Sequence, residues 1–169
     1  MNESIVVDKD LSDEEIYESL IPQLDTLIKQ DEYLLTNLSN FIAAFKQSFD
    51  KISWIGFYFF DGNELILGPF QGKVACSKIG ISKGVCGFAF KEKKTTILPD
   101  VNKFSGHIAC DADSKSEIVI PLIKNEKVIG VLDLDSYSYN SFNEKDKKYL
   151  EKICNLLLEK LPLEKFIIS

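Results

Sequence analysis

The chain has 169 residues with a formal net charge of −6 at pH 7, and lysine supplies every fixed positive charge on a side chain because there is no arginine. This length predicts a single domain over residues 1–169, with residues 1–11 as a flexible N-terminus. The acidic balance argues against a nucleic-acid partner, and the lack of a secretory signal or a bilayer-spanning apolar stretch predicts a cytoplasmic protein with no membrane partner.

The N-terminal third predicts two helices. The sequence from Ser12 to Glu15 is typical of a capping box, and apolar residues follow it at helical spacing. Because proline lacks a backbone N–H, Pro22 predicts a kink or break in this first helix. A second apolar stripe predicts another helix over residues 32–49.

The apolar period then changes to that of strands. Residues 54–60 and 64–70 flank an Asp-Gly-Asn turn and predict a β-hairpin. Further along, the pattern predicts a short helix over 84–93, a second hairpin from 117–124 and 127–135, and a final helix over 143–161 with Cys154 on its apolar face. This order predicts an α+β domain whose central, mainly antiparallel sheet is flanked by N- and C-terminal helices.

Three cysteines, Cys76, Cys86 and Cys110, lie in one stretch with the only histidine, His107. Three thiols in a reducing compartment indicate redox chemistry. Because a helix N-terminus lowers a thiol pKa, Cys86 is one candidate for the nucleophile. The alternatives are buried apolar cysteines or a Cys3His zinc site. The stretch has no close CxxC pair, so we predict no metal and no cofactor.

Acidic and aromatic residues are the other candidates for a site. Asp133 and Asp135 have the same strand parity, so both side chains emerge on one face, where burial and repulsion raise a carboxyl pKa. Glu117 opens the neighbouring strand. Trp54 and Tyr58 also share one face, and the glycine between them leaves room. The alternatives are solvated strand ends for the acids and ordinary sheet packing for the rings.

Five motifs carry a family resemblance. They are WIGFY at 54–58, LGPFQGKVAC at 67–76, KGVCG at 83–87, GHIACDADSKSEIVIP at 106–121 and GVLDLDS at 130–136. With the order of elements, they resemble the free methionine-(R)-sulfoxide reductases, which have the GAF fold, over roughly residues 12–161. The resemblance implies a single GAF domain and an oxidoreductase for antioxidant repair, which converts free L-methionine (R)-S-oxide to L-methionine.

The resemblance also implies roles for the cysteines. It assigns the attacking thiolate to Cys110 and the resolving thiol to Cys86, with Cys76 as an auxiliary or alternative resolving thiol. The sulfenic acid formed on the attacking cysteine would become an intramolecular disulfide, which thioredoxin would reopen.

The five acidic and aromatic candidates take substrate-binding roles in this interpretation. Trp54 and Tyr58 form a wall for the thioether methyl group, while Glu117, Asp133 and Asp135 donate a proton and hold the α-ammonium group. The expected partners are free methionine (R)-sulfoxide and thioredoxin. The sequence leaves open whether the protein is a monomer or a homodimer. The alternative function is a non-catalytic GAF sensor of a small molecule with redox-responsive cysteines.

Overall fold

The computed structural model describes residues 4–106 and 111–166. Within them, the elements in chain order are α1 Asp13–Leu27, α2 Leu34–Ser48, β1 Trp54–Phe60, β2 Glu64–Gln71, β3 Lys78–Gly80, α3 Gly84–Glu92, β4 Thr96–Leu98, β5 Ser116–Lys124, β6 Lys127–Ser136 and α4 Glu144–Lys160. Across these ranges, each helix is too short or too polar to cross a membrane.

The strands form one antiparallel sheet with the order β3-β2-β1-β6-β5-β4. The two predicted hairpins are β1–β2 and β5–β6, and they meet where β1 pairs with β6. This arrangement confirms the predicted α+β class. The edge strand β4 was not predicted, because three residues are too few to show a period of two.

The sheet buries side chains on both faces. One face, with Phe57, Ile120 and Leu132, packs against α1, α2 and α4 in the larger core. The other face carries Val119 and Val131 and packs against α3 in a smaller core. Because side chains alternate along a strand, each central strand contributes to both cores. The candidate site lies on the side of the smaller core.

Helix α1 begins as predicted and continues further than predicted. The Ser12 hydroxyl accepts the Glu15 backbone N–H at 3.4 Å, and the Glu15 carboxylate accepts the Ser12 N–H at 2.9 Å, which confirms the capping box. Of the kink or break predicted at Pro22, the break is wrong, since α1 runs through this residue, and the kink stays a prediction. Pro22 is exposed, so the carbonyl that loses its helical partner there lies where water reaches it.

A buried ion pair joins the terminal helices to the start of the sheet. Asp146 on α4 is 1% exposed and accepts hydrogen bonds from the Tyr17 hydroxyl on α1 at 2.9 Å and from Lys51 Nζ at 2.6 Å. The same lysine donates to the Ser141 carbonyl at 2.9 Å. The helical layer is therefore fixed to the sheet by polar contacts as well as by apolar packing.

Candidate functional site

Strand pairing places the predicted acids and one aromatic ring in a single row. Asp135 on β6 pairs with Glu117 on β5 on one side and with Trp54 on β1 on the other. Directly paired residues share a face of the sheet, so these three side chains point the same way. Asp133 lies two residues before Asp135 and therefore has the same orientation. The prediction that Asp133 and Asp135 share a face is confirmed.

A pocket opens above this row, between the sheet and α3. Its described lining contains six of the eight predicted site residues, and no lysine. They are Trp54, Tyr58, Cys86, Glu117, Asp133 and Asp135. The rest of the described lining is Val74, Ala75, Ile79, Gly84, Val85, Asp111 and Ser114. The described pocket thus contains several acids and no side chain that would neutralise them.

Two of the acids are removed from solvent. Glu117 is 5% exposed and Asp133 is 6% exposed, which excludes the alternative of solvated strand ends for both. Asp135 is half-buried and accepts a hydrogen bond from the buried Ser114. Oδ1 of Asp133 has no hydrogen-bond partner among the described residues. Because Asp133 lines the pocket, this oxygen is a candidate acceptor for a ligand.

Burial favours the protonated forms of these acids. Burial, followed by the neighbouring charge of Asp135, raises the pKa of Glu117 well above its usual range. Burial and the charge of Glu117 do the same to the pKa of Asp133, and burial and the charge of Asp133 raise the pKa of Asp135. Glu117 and Asp133 are hydrogen-bonded to each other. Two carboxyl groups form such a bond only when one of them is protonated.

Cys86 contacts the acids from helix α3, on the opposite side of the pocket from the sheet. It is the third residue of α3, and its thiol donates to Oδ2 of Asp133 at 3.3 Å. Burial, then the charges of Asp133 and Glu117, raise its pKa well above that of a free thiol. The argument that a helix N-terminus makes Cys86 a low-pKa nucleophile is therefore wrong, because desolvation and two nearby acids outweigh the helix dipole.

Potential metal ligands among the described residues are concentrated in the same cluster. The ligand atoms of Cys86, Glu117 and Asp133 all lie within 4.8 Å of one another. This set differs from the Cys3His set considered from the sequence. Burial raises the pKa of all three groups and so disfavours the anions that a metal ion binds, which makes the arrangement fit proton transfer better than a metal centre.

The aromatic wall is built around Trp54. Its ring stacks on Phe70 at a centroid distance of 5.5 Å and on Tyr58 at 6.1 Å. A Cβ atom at Gly56 would lie 2.3 Å from the Trp54 ring and 2.6 Å from the Phe70 Cβ. The space left by the missing Gly56 side chain is therefore occupied by the Trp54 indole. The ring lies along the strand, directly over Gly56.

Both predicted aromatic residues also position the loop at residues 72–77, between β2 and β3. Trp54 Nε1 donates to the Lys73 carbonyl at 3.0 Å, and the Tyr58 hydroxyl donates to the Cys76 carbonyl at 2.9 Å. This loop contributes Val74 and Ala75 to the pocket lining. The two rings therefore line the pocket themselves and also fix the position of the loop. The alternative of ordinary sheet packing does not account for these two hydrogen bonds.

The cysteines differ in state and position. Cys86 and Cys154 have free thiols, whereas Cys76 is disulfide-bonded. Cys154 is buried against the larger core, as predicted. Cys110, the predicted nucleophile, and His107 lie outside the described residues, so their predicted roles stay predictions.

Several residues in and beside the pocket were not predicted from the sequence. Asp111 and Ser114 line it, and Lys73 and Tyr137 contact Asp111 from the two sides. The only available signal was the closeness of Asp111 and Ser114 to Cys110 in the sequence. Lys73 and Tyr137 lie 38 and 26 residues from Asp111, and no local pattern connects them.

Comparison with known proteins agrees with this geometry. Residues 33–158 match the family model of the GAF domain. A GAF domain-containing protein A from Dictyostelium discoideum is 52% identical over 147 residues, which cover 86% of this chain and 92% of that protein. The free methionine-R-sulfoxide reductase of Saccharomyces cerevisiae is 47% identical over 155 residues, which cover 87% of this chain and 86% of that protein.

A solved structure extends the comparison to three dimensions. The X-ray structure of free methionine-R-sulfoxide reductase from Neisseria meningitidis, in complex with its substrate, has a TM-score of 0.88 and 36% identity. The match covers 96% of this chain and 98% of that one. The chain belongs to the free methionine-R-sulfoxide reductase family of GAF domains.

Membership of this family confirms two predictions. The resemblance seen in the five motifs is correct, and so is the GAF fold. It also places the protein among the oxidoreductases.

Proposed function

We propose that the protein reduces free L-methionine (R)-S-oxide to L-methionine with electrons from protein thiols. The observation that carries this proposal is the pocket in which Glu117, Asp133 and Asp135 face an aromatic wall without a described cationic side chain. Such a pocket favours a ligand that brings its own positive charge, together with a group that accepts a proton. A free methionine sulfoxide has both.

The orientation of the substrate follows from the same residues. Its α-ammonium group lies against the acids and donates to the free Oδ1 of Asp133. Its thioether methyl group packs on Trp54 and Tyr58, where sulfur and aromatic edges make favourable contacts. The preference for the R epimer comes from the family, in which a relative with 47% identity is named a free methionine-R-sulfoxide reductase.

The reaction begins at Cys110 in this proposal. Its thiolate attacks the substrate sulfur, and a sulfur–sulfur bond forms as the sulfur–oxygen bond of the sulfoxide breaks, with a protonated acid of the Glu117–Asp133 pair supplying the proton that the departing oxygen needs. The hydroxide so formed attacks the Cys110 sulfur, and the sulfur–sulfur bond breaks with its electron pair returning to the substrate sulfur. The net result is methionine and a sulfenic acid on Cys110, so the substrate is reduced and the cysteine is oxidised by two electrons.

A second thiol then resolves the sulfenic acid. It attacks the Cys110 sulfur, a disulfide forms, and the hydroxyl group leaves as water with the thiol's proton. We infer that Cys76 takes this role before Cys86, because Cys76 is disulfide-bonded while Cys86 is free, buried and protonated. This reverses the order taken from the resemblance. Thioredoxin reopens the disulfide and completes the cycle.

The test measures methionine formed from three compounds in the presence of dithiothreitol. We expect turnover of the free R epimer and none of the S epimer. N-Acetylation of the R epimer removes the ammonium charge that the buried acids receive, so kcat/KM should fall on the order of 100-fold, as for the loss of one partner of a buried charge pair. Tight binding of the R epimer without any methionine would instead support a non-catalytic GAF sensor.

A further inference from the structure

A charged contact is centred on Asp111, which lines the pocket, and the proposed chemistry has not used it. Lys73 Nζ lies 2.6 Å from Asp113 Oδ2 and 3.3 Å from Asp111 Oδ1. The Tyr137 hydroxyl donates to the other oxygen of Asp111 at 2.8 Å, and the Lys73 ammonium lies 5.1 Å from the centre of the Tyr137 ring. We name these four residues the Lys73 bridge.

The bridge joins three segments that are distant in sequence. Lys73 belongs to the loop at 72–77, Asp111 and Asp113 precede β5, and Tyr137 follows β6. The loop is not held by burial at this point, because Val74, the residue after Lys73, is 88% exposed. The rings of Trp54 and Tyr58 attach the loop to the sheet below. The Lys73 bridge connects the loop sideways to the segment at 111–113.

The two joined segments carry the two thiols of the proposed disulfide. Cys76 follows Lys73 by three residues, and Cys110 directly precedes Asp111 in the sequence. We propose that Lys73 is a positioning residue for disulfide formation, holding the loop that carries Cys76 against the segment that follows Cys110. This inference rests on the proposed function, since that reaction supplies the sulfenic acid to be resolved.

The chemical step is the attack of the Cys76 thiol on the Cys110 sulfenic acid. The sulfur–sulfur bond forms, the sulfur–oxygen bond breaks, and water leaves. Its rate depends on the effective concentration of one thiol at the other, which the surrounding contacts set. The preceding step, in which methionine forms, needs Cys110 and the acids but not Cys76. Loss of the bridge therefore slows the second step and spares the first.

The experiment follows both steps in one turnover without reductant. Reduced protein is mixed with an equal amount of free methionine (R)-sulfoxide, and methionine, disulfide and dimedone-trapped sulfenic acid are measured over time. In Lys73→Ala we expect methionine to form within about twofold of the wild-type rate and the disulfide to form about tenfold more slowly, as expected for a lost positioning contact. The trapped sulfenic acid should accumulate.

Two variants serve as controls. Lys78→Ala removes another exposed lysine pair, with Glu64 at 2.9 Å, two residues beyond Cys76, and should behave as wild type. Lys73→Arg keeps the charge and should restore rapid disulfide formation. Because exposed ion pairs contribute little to folding, the melting temperature of Lys73→Ala should stay near that of wild type.

Each remaining outcome is decisive. Disulfide formation at the wild-type rate in Lys73→Ala would overturn the inference. An equal fall in both methionine and disulfide formation would also overturn it, because Lys73 would then act on substrate binding. If the wild-type protein forms no methionine from the R epimer, the proposed function itself fails, and that result is recognisable before any variant is made.

Discussion

The sulfur of Cys86 lies 3.3 Å from Oδ2 of Asp133 and donates its proton to that oxygen. This contact fixes a thiol in its protonated form beside a carboxyl group whose pKa burial has already raised. A protonated, enclosed thiol is a poor nucleophile. Its proton is instead held in a hydrogen bond to Asp133, so Cys86 belongs to the acid cluster more than to the exchange of disulfides.

Replacement of the individual cysteines should separate these roles. With thioredoxin as reductant, we expect Cys76→Ser to lose at least about tenfold in steady-state turnover, because the resolving thiol is gone while the first methionine still forms. Cys86→Ser should lose less. Cys154→Ala is the control, since Cys154 packs in the larger core, and should turn over as wild type. A greater loss in Cys86→Ser than in Cys76→Ser would restore Cys86 as the resolving thiol.

Asp133→Asn should raise stability and lower activity together. Loss of the proton donor lowers kcat/KM by about 100-fold or more. Because the pKa of Asp133 is raised in the folded protein, the wild type loses stability as the pH rises above about 4, where the unfolded carboxyl group ionises and the folded one keeps its proton. At neutral pH the variant should therefore have a higher melting temperature than wild type. Each kcal/mol gained in the free energy of unfolding raises the melting temperature by about 2–4 °C.

The pH dependence of that difference is the check. Melting curves of Asp133→Asn and wild type should coincide near pH 3.5 and separate as the pH rises. Asp61→Ala should show the opposite sign. Its carboxylate accepts the backbone N–H groups of Glu64 and Asn63, which lower its pKa, so it stabilises the fold above about pH 4 and loses that effect in acid. An Asp133→Asn protein that melts below wild type at pH 7 would mean that Asp133 is ionised when folded.

The indole of Trp54 should report on any change at Gly56. The Cβ atom of Gly56→Ala would lie 2.3 Å from the Trp54 ring, so the ring must move, at a cost of about 1–3 kcal/mol in the free energy of unfolding. We also expect a higher KM for the substrate, because the Trp54 ring lines the pocket and its Nε1 donates to the Lys73 carbonyl. Trp54 is the only tryptophan of the chain, so its fluorescence measures the displacement directly.

A second glycine provides the control for this variant. A Cβ atom at Gly80 on β3 would meet only the Lys83 side chain, no closer than 3.6 Å, which is ordinary contact. Gly80→Ala should therefore leave fluorescence, unfolding and KM unchanged. Equal behaviour of the two alanine variants would contradict the close packing of Trp54 on Gly56.

Loss of Asp146 should destabilise the fold without altering the chemistry. Asp146→Ala leaves Lys51 and the Tyr17 hydroxyl without their shared buried acceptor, and we expect a loss of about 3–5 kcal/mol in urea unfolding. Tyr17→Phe removes one hydrogen bond and should cost about 1 kcal/mol. Asp25→Ala breaks an exposed pair with Lys160 and should cost less than about 1 kcal/mol. If Asp146→Ala costs no more than Asp25→Ala, the buried network does not anchor α1 and α4.

The regular elements were predictable because their signals are local. The capping box at Ser12 and the strand parity of Asp133 and Asp135 depend only on neighbouring residues, and both predictions are confirmed. The break at Pro22 failed because it depends on what surrounds the helix. Proline cannot donate to the carbonyl of Glu18 one turn earlier, and because both residues are exposed, water can replace that bond, an exposure that cannot be read from the chain.

The site was predictable in its membership but not in its electrostatics. The motifs identified six side chains that line the pocket. Their protonation depends on how far α3 and β5 bury them, which is why Cys86 was a candidate for a low pKa from its helix position and has a raised one in the fold. Lys73 and Tyr137 were missed because only tertiary structure brings them to Asp111.

The most direct test of the account compares wild type with Cys110→Ser in dithiothreitol-dependent release of methionine from the resolved R and S free sulfoxides, with Cys154→Ser as a matched control. We predict R-specific turnover in wild type and in Cys154→Ser, and none in Cys110→Ser. Full turnover by Cys110→Ser would contradict the assigned nucleophile, and the absence of methionine from either epimer with wild type would contradict the proposed reductase activity.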